Sequence, residues 1–379
     1  MSRPSLLIIS FSPILQDARV LKQVRAFSSR YDVTTCGYGP APEATIEHVE
    51  IGAEHGALDT NFTLIAARQY RAAYSSTGAV KEARRLLRGR TFDIVLANEA
   101  ETAPIALELV PAARVHVDLH ESYPRLHDDV PAWVFWRAPY ARWLCRRYVA
   151  RAASTTTVGG GLAREYEREF GFRPEVVTNA TPFRDLRPSD GDTPIRLVHS
   201  GAALRNRDLM LLVDGIARSS APVELDLYLM PHEPDYLAEL TRAAAATDRV
   251  RVLDPVPYNE LIATLAGYDM GVHVLPPGNF NNRWALPNKF FDYVQARLGL
   301  IVGPSPEMAG TVQERGLGVV TSDFTVEALT AAVDALTPQD VARYQAASDA
   351  AAHDLSAERQ IAVWTRAIDA IAANLELAG

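Results

Sequence analysis

Three stretches of this sequence carry side chains whose type and spacing could do chemistry. In Asp118-Leu119-His120-Glu121 an imidazole stands between two carboxylates, where it can hydrogen-bond a hydroxyl or handle a proton near neutral pH. The alternative is a polar loop that caps the next helix. Asn98 and Glu99, after an earlier apolar run, are candidates on the same edge. In His199-Ser200-Gly201, followed by Arg205 and Arg207, a glycine turn and two guanidinium groups precede a helix expected near Asp208. Backbone N–H groups and fixed cations in that order suit a pyrophosphate, although a solvated loop with incidental arginines reads the same. In the third stretch, Leu286-Pro287 opens a helix and puts Asn288 and Lys289 in its first turn. The helix dipole disfavours a cation there, and a nearby anion would resolve the conflict. Asp292 follows on the same helix face, suited to accept from ribose hydroxyls. Asn279, Asn281 and Asn282, after Leu275-Pro276-Pro277, either touch a sugar or simply make a turn.

Such residues need strand ends to hold them. Short β-branched runs at 6–10, 33–36, 94–97, 115–119, 154–158 and 175–178 alternate with helical stretches, the pattern of a parallel sheet wrapped by helices. The first helix follows Asp17, a plausible N-cap, and carries Val20, Val24 and Phe27 at helical spacing. A polar stretch at 183–194 reads as an interdomain linker. Strand-like runs then restart at 196–200, 224–229, 250–253, 270–274, 300–303 and 318–320. The fold class expected is therefore α/β, with two doubly wound Rossmann-like domains facing across a cleft. Their expected bounds are 1–185 and 186–355. A terminal amphipathic helix at 356–379, with Ile361, Trp364, Ile368, Ile371 and Leu375 in one stripe, packs on the second domain or crosses back to the first.

Composition excludes much else. At 379 residues the chain fits two domains of ordinary size, and 48 % hydrophobic with 22 % charged residues describes a folded chain. No apolar run is long enough to span a bilayer, and the N-terminus does not read as a secretion signal, so a cytoplasmic location is expected. A net charge of -8 argues against a general nucleic-acid binder. Cys36 and Cys145 are too few for a zinc quartet or a disulfide framework and read as core fillers. The loop SFSPILQDAR lacks both G-x-G-x-x-G and the P-loop pattern, which counts against a dinucleotide enzyme and a P-loop nucleotidase.

Taken in order, the DARVLKQVRAF helix, VDLHE, VVTNATPF, HSGAALRNRD and ALPNKFFDY resemble a GT-B fold glycosyltransferase, similar to glycosyltransferase family 4, over nearly the whole chain. The resemblance implies transfer of a sugar, without a metal ion or other cofactor and with retention, from a nucleotide-diphosphate donor held by the C-terminal domain. The acceptor, a glycan, lipid-linked or small-molecule hydroxyl, would lie against the N-terminal one, with Asp118, Glu121, Asn98 and Glu99 as acceptor-side candidates. By the resemblance, Arg207 and Lys289 contact the donor phosphates and act in catalysis. Gly201 gives close backbone access, Arg205 and Asn288 join the donor site, Asp292 holds the ribose, and His120 lies near the reacting sugar. The family's first acid falls at Trp284, so this chain departs from the E-x7-E pattern. A nucleotide-sugar epimerase or phosphorylase, or a non-catalytic subunit of the same fold, are the competing readings. Finally, aromatic residues from Trp133 to Tyr148 interleave with arginines up to Arg151, either a helix with a core-facing aromatic side or a peripheral contact at an anionic membrane surface.

Overall fold

The apolar runs become thirteen parallel strands among the described residues, 3–57, 59–189 and 193–376 of a computed structural model. They form two sheets. In the first, β1 (Ser5–Pro13), β2 (Asp32–Tyr38), β3 (Glu47–Ile51), β4 (Ile94–Asn98), β5 (Val115–Leu119), β6 (Ser154–Thr157) and β7 (Glu175–Val176) take the order β3-β2-β1-β4-β5-β6-β7. In the second, β8 (Ile195–Ala202), β9 (Val223–Met230), β10 (Val250–Leu253), β11 (Met270–His273), β12 (Gly299–Val302) and β13 (Gly318–Val320) run β10-β9-β8-β11-β12-β13. Every pairing is parallel; Ile8, for example, lies between Thr35 of β2 and Leu96 of β4. In each sheet the order reverses beside its first strand, which opens a crevice at the carboxyl ends where ligands of doubly wound sheets bind. The central strands β1, β4 and β12 are buried on both faces over most of their length, which is why they read as apolar runs.

Helix Ala18–Phe27 begins at Asp17, whose side chain accepts from the N–H groups of Arg19 and Val20 at 3.1 Å each. Its Val20, Val24 and Phe27 pack on Leu6, Ile8, Ile94 and Leu96. The same cluster takes in Trp364, Ile368 and Ile371 from the last helix, Ala357–Glu376. That terminal stripe thus belongs to the core under the first sheet, where truncating a large buried aromatic such as Trp364 to alanine costs about 3–5 kcal/mol.

The chain divides into two units, 1–178 with 279–281 and 360–379, and 179–278 with 282–359. The division falls before the polar stretch rather than inside it. Ala180 is fully buried in the second unit's core, Thr181 accepts from the Ala357 N–H at 2.9 Å, and the Arg184 N–H donates to Gln295 at 3.0 Å. Those anchors explain why the early part of 183–194 is not a free tether; 190–192 lie outside the described residues. Cys36 and Cys145 are both free and buried.

Candidate functional site

In the second unit, His199-Ser200-Gly201 lie near the carboxyl end of β8, and the 3-10 turn Arg205–Arg207 follows. Helix Asn288–Gln295 starts after Pro287, so Lys289 does sit in its first turn. The Lys289 ammonium folds over Gly201: a Cβ there would lie 2.8 Å from Nζ and 3.6 Å from His199 Nε2. Gly201 has φ +158°, which other residues rarely adopt, so its bareness serves both the backbone and the close approach.

Neither the Lys289 ammonium nor the Arg207 guanidinium has a hydrogen-bond or ion-pair partner among the described residues. Burial, and then the neighbouring Arg207 charge, bring Lys289 down to about 7, with Asp292 pulling the other way. Two cations without an ion-pair partner among the described residues, beside a glycine near a strand end, suit a diphosphate.

Two buried histidines underlie it. His199 Nδ1 meets the Val272 carbonyl at 2.8 Å, an acceptor only, so Nδ1 carries the proton and Nε2 presents a lone pair. Burial and Lys289 push His199 down to about 3, and the same two causes hold His273 well below its ordinary value. Their rings lie 5.8 Å apart, and His273 Nε2 has no hydrogen-bond partner among the described residues. Both stay neutral beside the cations. His273 was not singled out from the sequence, because the β11 end that carries it reads as part of an apolar strand.

The other donor-side candidates are placed differently. Arg205 is exposed, bidentate to Glu239 at 2.9 Å and stacked on Tyr236, so it is not brought together with Arg207 and Lys289. Asn288 is exposed. Asp292 is buried rather than open to a ribose: Thr181 donates to its carboxylate at 2.5 Å. Asn281, for which the sequence left a sugar contact and a turn both open, accepts from the Ser122 N–H at 2.9 Å within the first unit.

In the first unit, Asp118 is fully buried. Arg19 forks onto both its oxygens at 2.7 Å, Gln23 donates at 2.7 Å and Thr156 at 2.6 Å. Burial alone would raise this carboxyl, but Arg19 holds it well below the usual carboxylate range. Asp118 is therefore an anchor and not an open acceptor-side carboxylate. Asn98 is likewise fully buried in a reciprocal amide pair with Gln23. What reaches the surface is His120, 21 % exposed, with Glu99 beside it at 3.6 Å. Since the Asn98 oxygen already accepts from Gln23, His120 Nε2, 3.1 Å away, is its second donor, which leaves Nδ1 on the Glu99 side. Burial disfavours the imidazolium, but Glu99 and then Asp118 outweigh it and raise His120; burial in turn raises Glu99. Glu99 holds a left-handed φ of +68°, strain of the kind found at functional sites. Glu121 is exposed on the same loop.

Neither a family model nor a curated protein sequence matches the chain. Solved structures do. Anabaena HepE in complex with UDP and glucose aligns over 99 % of this chain and 100 % of its own, with TM-score 0.65 and 14 % identity. The α,α-trehalose 6-phosphate synthase of Burkholderia multivorans aligns over 99 % and 100 %, with TM-score 0.68 and 11 % identity. A glycosyltransferase of Rickettsia africae aligns over 98 % and 99 %, at 0.68 and 11 %. The fold is the two-sheet GT-B architecture.

Proposed function

We propose that this protein is a glycosyltransferase that moves a sugar from a nucleotide-diphosphate donor to an acceptor hydroxyl. The observation that carries the reading is the pair of unpaired cations, Arg207 and Lys289, at the bare Gly201 strand end. The solved neighbours that include UDP or UDP-glucose complexes support it by likeness of fold.

As the bond from the anomeric carbon to the diphosphate breaks, negative charge gathers on the leaving oxygens and the sugar becomes oxocarbenium-like. Arg207 and Lys289 stabilise that charge from fixed positions, so the leaving group requires neither a general acid nor a metal ion. The neutral His199 and His273 complete the floor without adding charge. On the first unit, His120 and Glu99 offer an imidazole and a carboxyl to the acceptor, a glycan, lipid-linked or small-molecule hydroxyl, with retention at the anomeric carbon.

The test is titration with UDP-, GDP- and dTDP-sugars, then turnover with an acceptor panel and NMR of the product's anomeric configuration. Binding that is lost in Arg207→Ala supports the donor site; no binding to any nucleotide sugar removes it. Trp284, standing where the resemblance expects an acid, favours a second reading, a subunit that binds donor but transfers nothing. Tight binding without product over all acceptors would select it.

A further inference from the structure

Three cavities of about 640, 590 and 490 Å³ adjoin one another on the first unit, with Trp143 in the wall of each. Their rims are arginines. Some of these have counter-charges: Arg84 pairs with Glu108, while Arg142 and Arg146 share Glu169. Arg71, Arg147 and Arg151 are exposed and have no carboxylate partner among the described residues. Arg68 has none either: it donates to the Tyr70 hydroxyl and the Phe135 carbonyl and lies over the rings of Phe135 and Trp136. On a chain of net charge -8, this is a concentrated local excess of positive charge.

An apolar belt continues from Arg68. Phe62, Val130, Val134 and Phe135 are 49, 42, 42 and 59 % exposed, four of the nine exposed large hydrophobic residues among those described. Phe62 and Phe135 both meet the Trp136 ring edge to face, at 5.8 and 4.5 Å, so much of the belt is one continuous surface. Val134 and Phe135 lie in the π-helical turn Trp133–Arg137, which runs into helix Ala138–Arg147. Among the described residues no helix is long and apolar enough to cross a membrane.

Charge and apolarity select the occupant together. A nucleic acid or an acidic glycan would answer the arginines and leave Phe62, Val134 and Phe135 in water. A bilayer rich in anionic phospholipid answers both, with phosphates for the guanidinium groups and acyl boundary for the belt. We propose that this face of the first unit docks on an anionic phospholipid bilayer, seated by Phe135 and Val134 and held electrostatically by Arg68, Arg71, Arg147 and Arg151. The inference stands apart from the sugar-transfer reading and holds whichever donor the second unit takes.

Flotation of the whole protein with phosphatidylcholine vesicles, with or without about 30 % phosphatidylglycerol, tests it. Binding to the anionic vesicles alone, weakening as salt is raised, is expected. The double variant Arg147→Ala/Arg151→Ala should bind about 25-fold more weakly, roughly fivefold per arginine. Val134→Ser/Phe135→Ser should lose about tenfold on the same vesicles while its affinity for inorganic polyphosphate is unchanged. Thermal unfolding and nucleotide-sugar binding monitor the fold of each variant. Absence of binding to the anionic vesicles overturns the proposal, as does undiminished binding of the arginine variant. Equal vesicle binding by the serine variant and the parent also overturns it, and would assign the surface to soluble polyanions.

Discussion

Raising the pH from about 7 to about 8.5 should loosen a nucleotide-sugar donor, and Lys289 sets by how much. Its ammonium titrates at about 7 in the free protein because burial and Arg207 oppose the charge. A bound diphosphate supplies the missing counter-charge and returns the group toward its ordinary value of about 10.4. Binding then requires the protonated form, so affinity follows the protonated fraction of the free protein. That fraction is about one half at the lower pH and about 3 % at the higher, a loss of roughly 15-fold. The diphosphate of a nucleotide sugar is a diester with constant charge over this range, so the ligand adds no slope. Calorimetric titration of the donor that binds tightest, at both pH values, reads the ratio directly. Lys289→Met should bind weakly with a flat profile, and Lys289→Arg should bind with a flat profile and keep its charge. A wild-type profile that is flat, or a slope that survives in Lys289→Met, would refute the argument.

The same lysine makes the unliganded protein more stable as pH rises. Its folded value is lowered, so between about pH 7 and about pH 10 the unfolded chain binds more protons and unfolding becomes harder; urea unfolding should show a rise that Lys289→Met lacks. Gly201→Ala should cost about 1–3 kcal/mol of stability from its φ of +158° and also weaken donor binding by displacing Lys289, both measurable on one preparation. Asp118→Ala leaves the Arg19 guanidinium buried without its carboxylate and should cost about 3–5 kcal/mol in chemical denaturation.

The strands were most legible where they are central and apolar, as in β1, β4 and β12, because parallel strands covered on both faces favour unbroken apolar runs. β3, Glu-His-Val-Glu-Ile at the sheet edge, passed unread because its alternation is short and its outer residues are polar. In the site, Lys289 could be singled out by local reasoning alone: a cation in a helix's first turn contradicts the dipole, and such contradictions mark function. Asp118 could not be judged that way. A carboxylate beside His120 looks like chemistry until Arg19, 99 positions earlier in the chain, is seen to occupy it. Arg205 and Asp292 mislead for the same reason, since Glu239 and Thr181 are remote in sequence from them. Local spacing tells what a side chain could do, and long-range pairing decides whether it is already engaged.

The final helix carries a consequence for biosynthesis. Its 20 residues, Ala357–Glu376, are the last of the described chain to leave the ribosome, yet Trp364 lies against Arg19 at 4.7 Å and Ile368 and Ile371 close over Leu6 and Ile8. The amino-terminal unit therefore waits, with apolar surface uncovered, until translation has passed through the whole of the second unit. Cleaving the gene between the two units would yield a fragment that needs its tail supplied in trans.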